Sequence, residues 1–212
     1  MQITNLFKKF LFSFFSILFI GTSAQALSLH KTSVILNAPW GMAWLDENDL
    51  LITQKSGEIF MVNTQDYSQT LIKHNIPSVQ YGQGGMLDII SEENNVWVTC
   101  SIEKDGKHTT AIYHAELSGD SLINEKKIYE ALPFIKSPYH FGSRLELKGD
   151  YLYASIGERG EGMIAQDPTN SIGTIIRIHK NGDIPDDNPY VDNPNWLPEI
   201  YQIGVRNPQG MS

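Results

Sequence analysis

Three short motifs set polar side chains among glycines: "YGQGGMLD" with Gln83, "SPYHFGSRL" with His140, and "IGVRNPQG" with Arg206 and Asn207. Two carboxamides, an imidazole and a guanidinium can together donate and accept hydrogen bonds, hold a proton and face a negative charge. Glycine at each point lets a backbone or a ligand come close. If the motifs converge they build a ligand site. Taken singly they promise less: a lone His140 reads as a hydrogen-bonded loop histidine, and a lone Arg206 as the brace of a turn.

The elements that must bring them together are strands. Apolar and β-branched runs recur along the chain, among them "WGMAWL", "LLITQ", "EIFMVN", "MLDII", "VWVTC", "TAIYHAEL", "RLEL", "YLYASI", "TIIRIH" and "IYQIGV". Turn clusters such as "DENDL", "KSGE", "EENN", "KGD" and "KNGD" separate them, and no stretch keeps a helical period over three turns. The chain is therefore expected to be all-β. The order of strand, acidic turn, strand, glycine turn, strand repeats from Pro39, from Gly84 and from His140, and a new unit opens near Gly204. "QTLIKH" and "KKIYEAL" supply further outer strands. Such repeats fit four-stranded propeller blades, about three of them with a fourth begun, and the motifs fall where each innermost strand starts. A β-sandwich is the alternative, but it has no need of a repeated order of turns. The closing alternation of Tyr201, Ile203 and Val205 reads as a strand whose partner has yet to appear.

The first 26 residues, with Lys8 and Lys9 ahead of an apolar run and Ala24-Gln25-Ala26 after it, read as a signal peptide cleaved after Ala26. The run is shorter than the roughly 20 apolar residues that span a bilayer, so no stable membrane insertion is expected. Residues 27–212 form the mature chain, periplasmic or secreted. The whole sequence carries 16 basic and 24 acidic residues. Without Lys8 and Lys9 the basic count falls by 2, from 16 to 14, and 14 less 24 gives a net charge of −10. Nucleic acid is an improbable partner for such a chain. Cys100 is the single cysteine and reads as a small buried apolar side chain.

In combination and in order, "GQGGMLD", "HFGSRL", "YLYASIGERG", "AQDPTNSIGTIIRI", "NGDIPDDNPY" and "IYQIGVRNPQGM" resemble the PQQ-dependent aldose sugar dehydrogenases of the glucose/sorbosone dehydrogenase family. The likeness runs from about Val34 to the last residue and covers the N-terminal half of that family's six-bladed propeller. It implies that His140 is the general base for the anomeric hydroxyl, that Arg206 lies by the quinone oxygens of PQQ, and that Gln83 and Asn207 hydrogen-bond the cofactor. It implies an aldose substrate and an external electron acceptor. It also implies that the calcium ligands and the basic partners of the PQQ carboxylates lie beyond Ser212, so that this chain is a fragment with an incomplete cofactor site and is inactive alone. Tyr139 stands where the soluble glucose dehydrogenase branch has an aspartate, which points to the aldose dehydrogenase branch.

Other candidates are weaker. "NGDIPDDNPY" is acidic, but Pro185 and Pro189 break the alternation of a calcium loop, so it reads as a rigid turn. Glu158 and Arg159 either face the substrate mouth or form an ion pair that fixes their loop. "GQGG" precedes no helix and so makes no phosphate cradle. His74, His108, His114 and His179 read as solvated or structural. From a different class altogether, the competing function is a secreted, non-catalytic propeller piece that binds a sugar or a partner, or an inactive remnant. A calcium-dependent lactonase of propeller fold lacks the axial carboxylates it would need.

Overall fold

A computed structural model describes residues 28–212. The leader read at residues 1–26 falls outside them, and among the described residues no helix is long and apolar enough to cross a membrane.

From Thr32 onward the chain forms one compact unit. Its described strands make three four-stranded antiparallel sheets, each laid down in chain order. The first sheet contains β1 (Pro39–Trp44), β2 (Asp49–Gln54), β3 (Ile59–Asn63) and β4 (Gln69–Ile72). The second contains β5 (Met86–Glu92), β6 (Asn95–Lys104), β7 (Lys107–Ser118) and β8 (Ser121–Glu130). The third contains β9 (Gly142–Lys148), β10 (Tyr151–Ile156), β11 (Thr174–His179) and β12 (Ile200–Ile203). The first strands lie side by side, β5 against both β1 and β9. This is the blade arrangement of a β-propeller, with one strand of each sheet on the inside.

Alternation decides what each sheet buries. Leu51, Ile59, Ile72, Val96, Val98 and Ala111 pack between the first and second sheets, and Trp97, Ile112, Leu152, Ala154, Ile176 and Ile178 between the second and third. Strands covered on both faces lose the polar half of their pattern, and so "VWVTCSI" is buried from Val96 to Ile102.

A second repeat lies in the hydroxyls of the second strands. Each inner strand is irregular near its start, at Pro39/Met42 in β1, at Met86/Ile89 in β5 and opposite Ala154/Ile156 in β9. A bulge strands a backbone N–H. Thr53 accepts from Gly41 N at 2.8 Å, Thr99 from Asp88 N at 2.8 Å and Ser155 from Arg144 N at 2.9 Å. Each hydroxyl then donates onward to a carbonyl of the following unit: Thr53 to Leu87, Thr99 to Ser143 at 2.8 Å, Ser155 to Pro208 at 3.4 Å. The third of these contacts puts Pro208 where the first two put inner strands, so residues after Gly204 open the next unit.

The closing strand differs from its reading in one respect. β12 pairs antiparallel with β11, Thr174 opposite Ile203 and Ile175 opposite Gln202. It is the outer strand of the third sheet, and its partner is already in the chain. Residues 180–199 separate the two strands. Their turns are held by Asn188, which accepts from Arg177 Nε at 2.5 Å and donates to the carbonyls of Arg177 and Pro198 at 3.0 and 2.8 Å.

Candidate active site

The His140 loop enters β9 with its backbone in the left-handed region, φ +55° at His140, +67° at Gly142 and +86° at Ser143. Only Gly142 adopts this freely, so the conformation must be held from outside. Three contacts hold it. His140 N donates to Gln83 Oε1 at 2.8 Å, Gly142 N donates to Asn207 Oδ1 at 3.0 Å, and His140 O accepts from Arg159 N at 3.3 Å. Gly157 runs directly beneath, where a Cβ would sit 2.0 Å from His140 O. A side chain there is excluded.

Glu158, one residue on, is 3% exposed. Its carboxylate receives His140 Nδ1 and the Gly162 N–H. A carboxylate can only accept, so Nδ1 carries the hydrogen and Nε2 is left with a free lone pair. Burial pushes the Glu158 carboxyl up, but the Gly162 amide and the His140 ring together outweigh it and hold the group below its ordinary value. Arg206 approaches the same carboxylate, Nε 3.9 Å from Oε1, with a side chain that is 80% exposed. Its carbonyl accepts Glu158 N at 2.8 Å, which ties the two loops together.

Four residues singled out in the sequence thus meet in one hydrogen-bonded network. Because Gln83 and Asn207 each face a backbone N–H, the oxygen of each carboxamide is committed to the protein, and each NH2 is left for something else. Both side chains line a cavity of about 320 Å³ with Trp40, Lys55, Phe141 and Gln209. No carboxylate lines it. A larger concavity of about 730 Å³ lies on the third sheet between Glu146, Tyr153, Tyr201 and Met211, and contains none of the four. Tyr139 is 55% exposed beside His140, the two ring centroids 6.1 Å apart.

Asp88 and Arg144 were invisible to motif reading, and the ion pair weighed for the loop after β10 does not form. Glu158 and Arg159 do not pair with each other. Arg159 is fully buried and donates to the carbonyls of Tyr139, His108 and Ser137, with its guanidinium 3.5 Å from the centre of the Phe141 ring. It is the splint of the His140 loop. Asp88 and Arg144 form an ion pair at 2.9 Å between the inner strands of the second and third sheets. Asp88 also accepts Leu145 N at 2.9 Å, and Arg144 donates to Gln209 O at 2.7 Å. Burial pushes the Asp88 carboxyl up against the opposing pull of the Leu145 amide and Arg144. His108 stacks on Tyr81 with centroids 4.1 Å apart and belongs to the support rather than to the site.

Residues 36–212 match the family model for Glucose / Sorbosone dehydrogenase. The chain belongs to that family. It is 32% identical over 188 residues to the aldose sugar dehydrogenase YliI of Escherichia coli, covering 84% of this chain and 50% of that one. To quinoprotein glucose dehydrogenase B of Acinetobacter calcoaceticus it is 26% identical, over 84% of this chain and 44% of the relative. The apo-form crystal structure of the soluble E. coli aldose sugar dehydrogenase superposes with a TM-score of 0.78 at 31% identity, over 84% of this chain and 54% of that one. The PQQ-bound aldose sugar dehydrogenase of Streptomyces coelicolor gives 0.70 at 25% identity, over 84% and 54%. The chain spans about half the length of the relatives it matches, in keeping with three blades of a larger propeller.

Among the described residues no group of three or more His, Cys, Asp and Glu side chains could hold a metal ion. A quinone with several carboxylates needs hydrogen-bond donors, and the donor groups of Gln83, Asn207 and Lys55 around the 320 Å³ cavity suit that need.

Proposed function

We propose that the protein is an exported quinoprotein oxidoreductase that oxidises the anomeric hydroxyl of aldose sugars to lactones, and that residues 27–212 are the N-terminal half of its propeller domain, behind a signal peptide at 1–26. The observation that carries the reading is the His140–Glu158 pair: an imidazole whose Nδ1 is committed to a buried carboxylate presents Nε2 as a base of fixed tautomer. A sugar-binding module needs no such base.

PQQ, when bound, supplies a carbonyl carbon that takes up hydride. The chain's own residues do the rest. His140 Nε2 takes the proton of the anomeric hydroxyl, and Glu158 faces the imidazolium so formed. The Arg206 guanidinium, free in solvent apart from its Nε near Glu158, offers positive charge where negative charge develops. Gln83 and Asn207 donate their NH2 groups to the cofactor while their oxygens hold the His140 loop in shape. Calcium and further cofactor partners are contributed by the rest of the domain, as is docking of the external electron acceptor.

The test is aldose oxidation by the full-length protein with PQQ, calcium and an artificial electron acceptor. His140→Gln should bind PQQ nearly as the parent does and lose about a hundredfold or more in turnover, the contribution of a positioned base. Parent-level turnover in that variant would mean that the base is elsewhere. N-terminal sequencing of the exported protein should begin at Leu27.

A further inference from the structure

The cavity shared by Gln83 and Asn207 has a cation that the motifs do not include. Lys55 follows β2, and its backbone is pinned between the first two sheets, N to Ala38 O at 3.1 Å and O to Met86 N at 3.1 Å. Gly85 is obligatory beside it, since a Cβ there would sit 2.2 Å from Lys55 O. The Lys55 ammonium turns back to Gly82 O, one residue before Gln83. That uses one of its three N–H donors. Among the described residues it has no carboxylate partner.

The walls of the cavity add to the positive field. Trp40 has the Arg144 guanidinium 4.3 Å from its ring centre, and Phe141 has that of Arg159 at 3.5 Å. Of these two cations only Arg144 has a carboxylate partner, Asp88. Arg159 is bonded to neutral carbonyls. Burial lowers it to about 10, which leaves it charged at neutral pH. A chain with a net charge of −8 has thus gathered three cations and one anion around a single aromatic-walled cavity. Such a concentration of unbalanced charge calls for an anionic ligand, flat enough for the walls and rich in acceptor oxygens.

We infer that Lys55 is an anion-recognition residue of this site, its free N–H groups taking a carboxylate of the cofactor while Gln83 Nε2 and Asn207 Nδ2 donate to neighbouring acceptor oxygens of the same molecule. The inference rests on the PQQ reading above. It also moves one basic partner of the cofactor carboxylates into this half of the domain, where the family likeness implied none.

The experiment is binding, read by quenching of tryptophan fluorescence on titrating the full-length apoprotein with PQQ, and separately with its trimethyl ester, which lacks the charges. The parent should prefer the acid to the ester. Lys55→Met should weaken PQQ binding about tenfold or more and narrow that preference, and Lys55→Arg should restore most of both. Thermal melts of each variant report whether the fold is intact, and Lys55→Gln, which removes the charge but keeps a polar side chain, takes the place of Lys55→Met if that variant does not fold. If the parent binds PQQ and both variants bind acid and ester as the parent does, Lys55 touches no carboxylate and the inference is wrong while the PQQ reading stands. If the parent binds neither compound, both fall together.

Discussion

The His140 imidazole gives its Nδ1 hydrogen to the buried Glu158 carboxylate and keeps Nε2 bare. The tautomer of the proposed base is therefore chosen by a residue eighteen positions later in the chain. Glu158→Gln keeps the shape but can turn either end of its amide to Nδ1, so the selection is lost. Turnover of the full-length protein should fall at least about tenfold, part of the 10²–10⁴ that a positioned base supplies, with little change in KM. An unchanged turnover and pH profile would show that Glu158 merely fills space.

The same carboxylate makes a prediction about acid. Its folded value lies below the ordinary 4.5 because the Gly162 amide and His140 together override the effect of burial. A depressed carboxyl contributes stability that is complete above its unfolded value and is lost as pH falls through the folded one. The parent should thus exceed Glu158→Gln in unfolding free energy at about pH 5.5, and the margin should shrink as pH falls below 4.5. Denaturant unfolding at a series of pH values measures it, and a margin that grows in acid would reverse the assignment.

Gly157→Ala places a methyl group 2.0 Å from His140 O if nothing moves. The loop must then shift, at a cost of about 1–3 kcal/mol, and His140 shifts with it. A lowered Tm together with lost turnover is expected. A variant that melts and turns over like the parent would show that the contact relaxes freely.

Thr99→Val removes a hydroxyl that accepts Asp88 N and donates to Ser143 O, all within the core. The amide and carbonyl are left without partners, so the loss should be about 1–3 kcal/mol. Thr99→Ser should recover most of it. Equal stability in the two variants would mean that the methyl group matters and the hydroxyl does not.

Much of this architecture was legible because a repeat announces itself. The entries to the inner strands at Gly84 and His140 carry the same glycine-rich signature, and the structure brings Gln83, His140, Arg206 and Asn207 into one network. The assignment of Ile200–Ile203 was less accessible. Alternation identifies a strand but says nothing of which neighbour it pairs with, and the residues between His179 and Ile200 concealed the link to β11. Glu158 and Arg159 are adjacent opposite charges, a pattern that suggests mutual pairing. Successive residues of an irregular loop point apart, and one went to the imidazole and the other to three carbonyls. Asp88 and Arg144 occupy positions that alternation alone gives to a strand, and only the stacking of one sheet on the next makes them meet.

The hydroxyls of Thr53, Thr99 and Ser155 work as a gauge. Each reaches from its own sheet to a backbone carbonyl of the next unit with one short side chain, so a single hydroxyl sets the step between successive units. Gln83 and Asn207 face each other across a cavity yet belong to segments more than a hundred residues apart. Two such steps, Thr99 to Ser143 and Ser155 to Pro208, separate the units that carry them. An error in either step would be carried forward to the next loop, so Thr99, which touches neither Gln83 nor Asn207, helps set the width of the opening between them.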